Sequence, residues 1–78
     1  MRTIHVLGAG CSKCKTLTAN AERAARESAT ETKVIKVREI AEMLLFDGVS
    51  ALPALAVDGQ VKSCGRVLGV DEIKAFLG

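Results

Sequence analysis

Aromatic residues are nearly absent from this chain, which has no Trp, no Tyr and only Phe46 and Phe76. Proteins that bind single-stranded nucleic acid stack its bases on aromatic side chains, so the composition argues against that class. The eleven Lys and Arg residues are dispersed and the net charge is only +2, so no basic patch stands out. No apolar run approaches a transmembrane span. We therefore expect neither a nucleic acid nor a membrane as a partner.

Cysteine and proline are also scarce, with three residues and one residue respectively. An odd number of cysteines argues against a secreted disulfide framework. The apolar part of the N-terminus is too short for a secretory signal, so we expect a cytoplasmic protein. With 78 residues, of which 49% are hydrophobic and 26% charged, the chain has room for one small core. We expect residues 1–78 to form a single domain and the protein to be a monomer.

Two of the cysteines form a CxxC pair in the stretch Gly10-Cys11-Ser12-Lys13-Cys14. In a reducing compartment such a pair is more often catalytic or metal-binding than structural. Cys11 precedes a predicted helix, where unsatisfied backbone N–H groups and the positive end of the helix dipole favour a thiolate. We expect the pKa of Cys11 to lie below that of an ordinary cysteine. Cys11 is thus the predicted attacking thiol and Cys14 the predicted resolving thiol.

The periodicity of the remaining sequence predicts alternating strands and helices. Residues 3–7 predict a first strand, a helical pattern runs from Ser12 to about residue 28, and residues 33–37 predict a second strand. Because a helix intervenes, these two strands are expected to be parallel. Residues 39–46 predict a short second helix with Ile40, Met43 and Leu44 on one face.

The last third of the chain predicts a hairpin and a closing helix. Asp58-Gly59 is a strong turn signal between predicted strands at Ala54–Val57 and Gln60–Cys64. The closing helix is expected to begin at Asp71, with an apolar face of Ile73, Ala75, Phe76 and Leu77. The expected fold class is α/β in the order β-α-β-α-β-β-α, a mixed sheet of four strands flanked by three helices.

This order, with a CxxC after the first strand and a proline before the hairpin, resembles the thioredoxin fold. More narrowly, it resembles the small thioredoxin-like and glutaredoxin-like redox-active disulfide proteins. The resemblance covers essentially the whole chain, and its most specific parts are residues 10–14, Leu52-Pro53-Ala54-Leu55 and the end of the hairpin at residues 61–67. It implies a thiol-disulfide oxidoreductase of the protein-disulfide reductase type. The Cys11–Cys14 disulfide is the only redox group implied, without another cofactor or a metal.

The resemblance also implies roles for residues around the cysteines. Pro53 resembles the cis-proline that lies against the disulfide, and a lone proline leading into a central strand agrees with a tight cis turn. A groove formed by residues 10–12 and 51–53 would bind an extended substrate mainly through its backbone. The candidate substrate-binding residues are Gly10, Ser12, Lys13, Leu52, Pro53, Cys64 and Gly65.

The partners implied are protein or small-molecule disulfides, with a thioredoxin reductase or glutathione as electron donor. The Ser12-Lys13 pair between the cysteines differs from the pairs familiar in thioredoxins and glutaredoxins, which leaves the redox potential open. Lys13 either adjusts the charge at the site or is a solvated lysine at the start of a helix. The first strand has no acidic residue that could accept the proton of the resolving thiol.

Two other residues admit two interpretations each. The topology predicts that Cys64 returns to the end of the sheet that carries the CxxC pair. Cys64 is then either an auxiliary thiol or glutathionylation site, or a small residue packed at a strand end. His5, within the first strand, is expected to be a half-buried packing residue rather than a ligand or a base.

Two further function classes compete with the oxidoreductase. A CxxC at a strand-to-helix turn also suits a soft-metal binding or carrier domain for Cu(I) or Zn(II). Such domains follow the order β-α-β-β-α-β, without a helix between the second and third strands. The other class is an interaction module that binds protein without turnover, against which the intact cysteine pair argues.

Overall fold

The structure is a computed structural model that describes residues 2–8, 12–29 and 31–77. In this part of the chain the order β-α-β-α-β-β-α is confirmed. Its elements are β1 (Arg2–Leu7), α1 (Ser12–Glu27), β2 (Thr32–Val37), α2 (Ile40–Met43), β3 (Ala54–Val57), β4 (Gln60–Cys64) and α3 (Val70–Leu77).

The four strands form one mixed sheet in the spatial order β2-β1-β3-β4. β1 is parallel to β2, with Val6 opposite Lys36. It is antiparallel to β3, with Leu7 opposite Ala54. β3 and β4 form the predicted antiparallel hairpin around Asp58-Gly59, whose φ angles of 52° and 84° belong to the left-handed region that such a turn requires. The sheet therefore places β1 and β3 at its centre.

Each face of the sheet has its own apolar cluster. One face packs against α1 and α3 through Leu17, Ile73 and Leu77, together with Ile4 and Leu55 of the sheet. The other face packs against α2 and the following turn, with a buried cluster of Leu7, Val37, Met43, Ala54 and Ala56.

α1 buries the face that its spacing predicts. The small side chains of Ala21 and Ala24 lie beside Leu17, and all three are fully buried. Small residues at these positions allow the helix axis to approach the sheet closely. None of the helices in the described ranges combines the length and the apolarity needed to cross a bilayer.

α2 is shorter than predicted, and one residue of its predicted apolar face, Leu44, is exposed. The helix ends at Met43, not at residue 46, and Leu45 and Phe46 donate backbone hydrogen bonds to residues three positions earlier. The predicted burial of Leu44 is wrong, since its side chain is 77% exposed. After the helix ends, a period of 3.6 residues no longer determines which side chains face the sheet.

The closing helix begins at Val70, one residue before the predicted Asp71. Ile73 and Leu77, four residues apart, are buried, whereas the predicted packing of Ala75 and Phe76 is wrong because both are exposed. α3 has only eight residues and contacts mainly α1. One stripe of its side chains, spaced i and i+4, is therefore buried.

Candidate functional site

The resolving thiol predicted at Cys14 lies at the start of α1, on the side that faces the sheet. Cys14 is the third residue of the helix, and its side chain is only 6% exposed. The hydroxyl of Thr18 donates to the Cys14 carbonyl at 2.8 Å. Cys11 and Gly10 fall outside the described residues, so their predicted roles stay predictions. The structure therefore fixes the buried half of the CxxC pair.

Gly8 directly follows β1 and lies against Cys14. A methyl group at this position would overlap the Cys14 Sγ and would lie 3.2 Å from the Cys14 Cβ and 3.7 Å from the Pro53 Cβ. The φ angle of Gly8 is not in the left-handed region, so glycine is required here for space and not for backbone conformation. Gly8, Cys14 and Pro53 thus converge at one point.

This role of Gly8 is not predicted by the sequence pattern, in which the glycines after the first strand indicate only flexible backbone at a turn. The sequence feature that points to this role is the position of Gly8 in the chain. It directly follows a central strand, six positions before the resolving cysteine, where a helix must return over the strand end.

The turn before β3 has the predicted conformation. The Leu52–Pro53 peptide bond is cis. Pro53 is fully buried beside Gly8, whereas Leu52 is 46% exposed. Because Pro53 is buried and the preceding Leu52 is exposed, the backbone of this turn lies at the edge of the candidate site.

Gly65 connects the end of the hairpin to the proline turn. Its N–H donates to the Pro53 carbonyl at 2.8 Å. Its φ angle is 71°, and a methyl group there would lie 3.1 Å from the Ala51 Cβ. An L side chain at this position would meet both backbone strain and a crowded neighbour. The structure therefore brings the predicted residues Gly65 and Pro53 together.

The residues between the cysteines lie on the outside of the helix start. Ser12 and Lys13 are both exposed, and the Ser12 carbonyl accepts a hydrogen bond from the Thr16 hydroxyl at 3.1 Å. The first turn of α1 carries no acidic residue. Positive charge at a helix N-terminus thus goes unopposed by a carboxylate in that turn, which favours an anionic sulfur nearby.

Cys64 belongs to the opposite face of the sheet from α1. It is the register partner of Ala54, and its side chain packs half-buried against the α2-side cluster. The Cys64 thiol donates a weak hydrogen bond to the Gly48 carbonyl at 3.3 Å. These contacts favour the packing interpretation of Cys64 over the auxiliary thiol.

His5 lies on the same face as Cys64 and is half-buried, as expected of a packing residue. Its ring centroid is 5.0 Å from that of Phe46, at an interplanar angle of 58°. The buried Nδ1 atom has no hydrogen-bond partner among the described residues. His5 therefore packs beneath the turn that follows α2, away from Cys14.

Comparisons with known proteins agree with this geometry. The family described as "Thioredoxin domain" matches residues 2–78. The chain is 40% identical over 77 residues to a thioredoxin of Methanothermobacter thermautotrophicus, with 99% of each chain covered. It is 30% identical over 77 residues to a thioredoxin of Methanocaldococcus jannaschii, covering 99% of this chain and 87% of that protein.

A further relative is an uncharacterized 9.0 kDa protein of Acidithiobacillus ferrooxidans, 33% identical over 73 residues, with 91% of this chain and 85% of that protein covered. The chain belongs to the thioredoxin family, which confirms the resemblance that its motifs predict. Membership of this family supports a thioredoxin-like redox function.

Proposed function

We propose that the protein is a thiol-disulfide oxidoreductase that reduces substrate disulfides through Cys11 and Cys14. The observation that carries the proposal is the convergence of Gly8, the buried Cys14 thiol and the cis-Pro53 turn at the start of α1. This arrangement leaves one thiol of the pair shielded, as a resolving thiol must be until a mixed disulfide forms.

The proposed reaction has two exchange steps. The Cys11 thiolate attacks one sulfur of the substrate disulfide, forming a mixed disulfide and releasing the other substrate sulfur as a thiolate. The Cys14 thiol, losing its proton, then attacks the Cys11 sulfur. The bond to substrate breaks, the second substrate thiolate leaves, and two electrons have passed to the substrate. Cys11 and Cys14 end as a disulfide.

The surface beside the proline turn favours apolar polypeptide substrates. A shallow depression of about 380 Å³ adjoins Leu52 and is lined by Met43, Leu44, Phe46 and Val49. Leu44 and Leu45, which are 77% and 82% exposed, extend this apolar surface. An extended segment next to a cystine would place its backbone along residues 51–53 and an apolar side chain in the depression.

A thioredoxin reductase or glutathione would return electrons to the Cys11–Cys14 disulfide, and a cytoplasmic, monomeric protein without another cofactor fits the composition. The metal-carrier alternative is disfavoured because α2 lies between β2 and β3, where the metal-binding order has no helix.

Reduction of insulin disulfides by the purified protein, with dithiothreitol as the donor, tests the mechanism. Cys11→Ser is expected to abolish the rate above background. Cys14→Ser is expected to accumulate a mixed disulfide between Cys11 and the substrate, detectable by mass spectrometry. A Cys14→Ser variant that turns over as fast as the parent protein would contradict the assigned roles.

Cys64→Ser separates the two interpretations of the third cysteine. Because its thiol packs on the α2 side of the sheet, we expect an unchanged insulin reduction rate and unchanged sensitivity to oxidant. A slower exchange in this variant would instead support an auxiliary thiol.

The reduction potential of the Cys11/Cys14 pair distinguishes the possible electron donors. A value near that of thioredoxin, about −270 mV, favours a dedicated reductase. A markedly less negative value favours coupling to glutathione. If the pair forms no disulfide in an oxidising buffer, the oxidoreductase proposal fails and soft-metal binding becomes the leading function.

A further inference from the structure

A second depression of about 270 Å³ lies between α1 and the edge strand β2, and we call it the α1–β2 pocket. On the helix side it is lined by residues that share one flank of α1, Lys15, Thr18, Ala19 and Glu22. Their spacing of three and four residues places them beside the buried stripe. The small side chains of Thr18 and Ala19 leave the space that the pocket occupies.

β2 supplies the opposite wall. Alternation along the strand points Val34 toward the α1 side, where it packs against the core, and points Val37 toward the α2 side. Lys36 therefore lies on the α1 side, opposite Val6. Arg38, two residues further, also lines the pocket. Lys36 of β2 and Arg38, just after the strand, thus place two cations against the flank of α1.

The charge of the α1–β2 pocket is strongly one-sided. Lys15, Lys36 and Arg38 contribute three positive charges, and Glu22 contributes one negative charge. None of these cations takes part in an ion pair found within residues 2–8, 12–29 and 31–77. Three converging cations with a single carboxylate are suited to an anion that accepts several charge-assisted hydrogen bonds.

The pocket also reaches the redox site. Cys14 and Gly8 form part of its inner wall, so the positive side chains surround the approach to the resolving thiol. The space between the pocket and the Cys14 sulfur is partly shielded from water, so a charge in the pocket interacts with the sulfur more strongly than it would in bulk water.

We propose that the α1–β2 pocket binds a small molecule bearing a phosphate, sulfonate or carboxylate group, and that this ligand prefers the disulfide form of the protein. The binding itself is independent of the proposed function, whereas the preference for the disulfide form rests on it. Reduction places ionisable thiols where the disulfide has none, and a thiolate repels an anion in the pocket. By linkage, the bound anion must disfavour reduction by the same factor.

A titration with pyrophosphate, followed by amide chemical shifts in two-dimensional NMR spectra, tests the binding. Sodium chloride keeps the ionic strength constant, so that general screening is the same at every point. We expect saturable shifts clustered on residues of the α1 flank and on residues 36–38. Shifts that are linear in pyrophosphate, or that spread evenly over all lysines and arginines, would overturn the site.

The double variant Lys36→Gln/Arg38→Gln is expected to weaken pyrophosphate binding by about tenfold, because two of the three cations are removed. Lys33→Gln is the matched control, since it removes one exposed cation from the same strand on the opposite face. Equal weakening in the control and in Lys36→Gln would overturn the assignment. Circular dichroism establishes folding, and the single variants replace the double variant if it does not fold.

The redox coupling is measured by equilibrating the protein with reduced and oxidised dithiothreitol. Reduction transfers two electrons and two protons and breaks the Cys11–Cys14 bond, while dithiothreitol becomes a cyclic disulfide. We expect saturating pyrophosphate to shift this equilibrium about fivefold toward the protein disulfide, near the lower end of typical couplings. No shift despite saturable binding would overturn the coupling. Failure to form any protein disulfide would instead refute the proposed function, while the NMR titration still decides the anion site.

Discussion

Gly8→Ala perturbs the point where the sheet meets the resolving thiol. The new methyl group would overlap the Cys14 Sγ, and it would also crowd the Cys14 Cβ at 3.2 Å. Both atoms belong to Cys14, which is buried, so this side chain is not free to swing away as an exposed side chain would be. Forcing an extra carbon into a packed site typically costs about 1–3 kcal/mol. A chain of this length has an unfolding free energy of about 4–12 kcal/mol, so the loss is a substantial fraction of it.

Urea unfolding of the reduced protein measures this loss as a lower midpoint with an unchanged m-value. Gly69→Ala is the matched control, because among the described residues a methyl group there meets, within 4 Å, only the Glu72 Oε1 at 3.8 Å, and the φ of Gly69 is not left-handed. We expect the control to change the unfolding free energy by less than about 1 kcal/mol.

A double-mutant cycle identifies the atom responsible. If the Cys14 sulfur is the principal obstacle, Gly8→Ala should cost at least about 1 kcal/mol less in a Cys14→Ala background, because the sulfur is then absent. An equal cost of Gly8→Ala in both backgrounds would refute the argument that Gly8 is required by close approach to the thiol.

Leu17→Ala removes a fully buried side chain and is expected to lower the free energy of unfolding in urea by about 2–5 kcal/mol. Leu44→Ala, at a 77% exposed position, is expected to change it by no more than about 0.5 kcal/mol. Similar losses in both variants would contradict the packing described for α1 and α2. The hydrogen bond from the Arg2 guanidinium, and after it the Thr3 N–H, lower the pKa of Asp58 below its usual value. Since the pKa is lower in the folded state, this carboxylate contributes stability above its unfolded pKa and loses that contribution as the pH falls through the folded pKa. Asp58→Asn should therefore destabilise the protein at pH 7 and flatten the decline of stability below about pH 4. Identical acid profiles for Asp58→Asn and the parent would contradict the assignment.

Local sequence patterns predict most of this fold because three signals are unambiguous. The small-residue stripe of α1, the alternation in β2 and the Asp58-Gly59 turn each have one structural solution. The segment of residues 43–46 is different, since four consecutive apolar residues match a helix in any orientation. The point at which α2 ends, and with it the exposure of Leu44, is therefore decided by tertiary packing.

The residues of the candidate site also fall into two groups, those that sequence motifs predict and those that they do not. The cysteine pair, Pro53 and Gly65 carry motif signals, and the structure brings Pro53 and Gly65 into contact through one hydrogen bond. Gly8 and Lys36 carry none, because their importance comes from where α1 lies over the sheet. A distance between a strand end and a helix start cannot be predicted from the spacing of residues along the chain.

The central place of β1 has a consequence for how the chain is made. β1 leaves the ribosome before the other three strands of this sheet, yet one of its two edges pairs with β3, about fifty residues later. Until the hairpin has been synthesised, a nascent chain containing β1, α1 and β2 presents an unpaired central edge, the kind of edge that other chains add to. The sheet can therefore be completed only after the C-terminal half has been synthesised. Once β3 pairs with β1, that edge can no longer pair with neighbouring nascent chains.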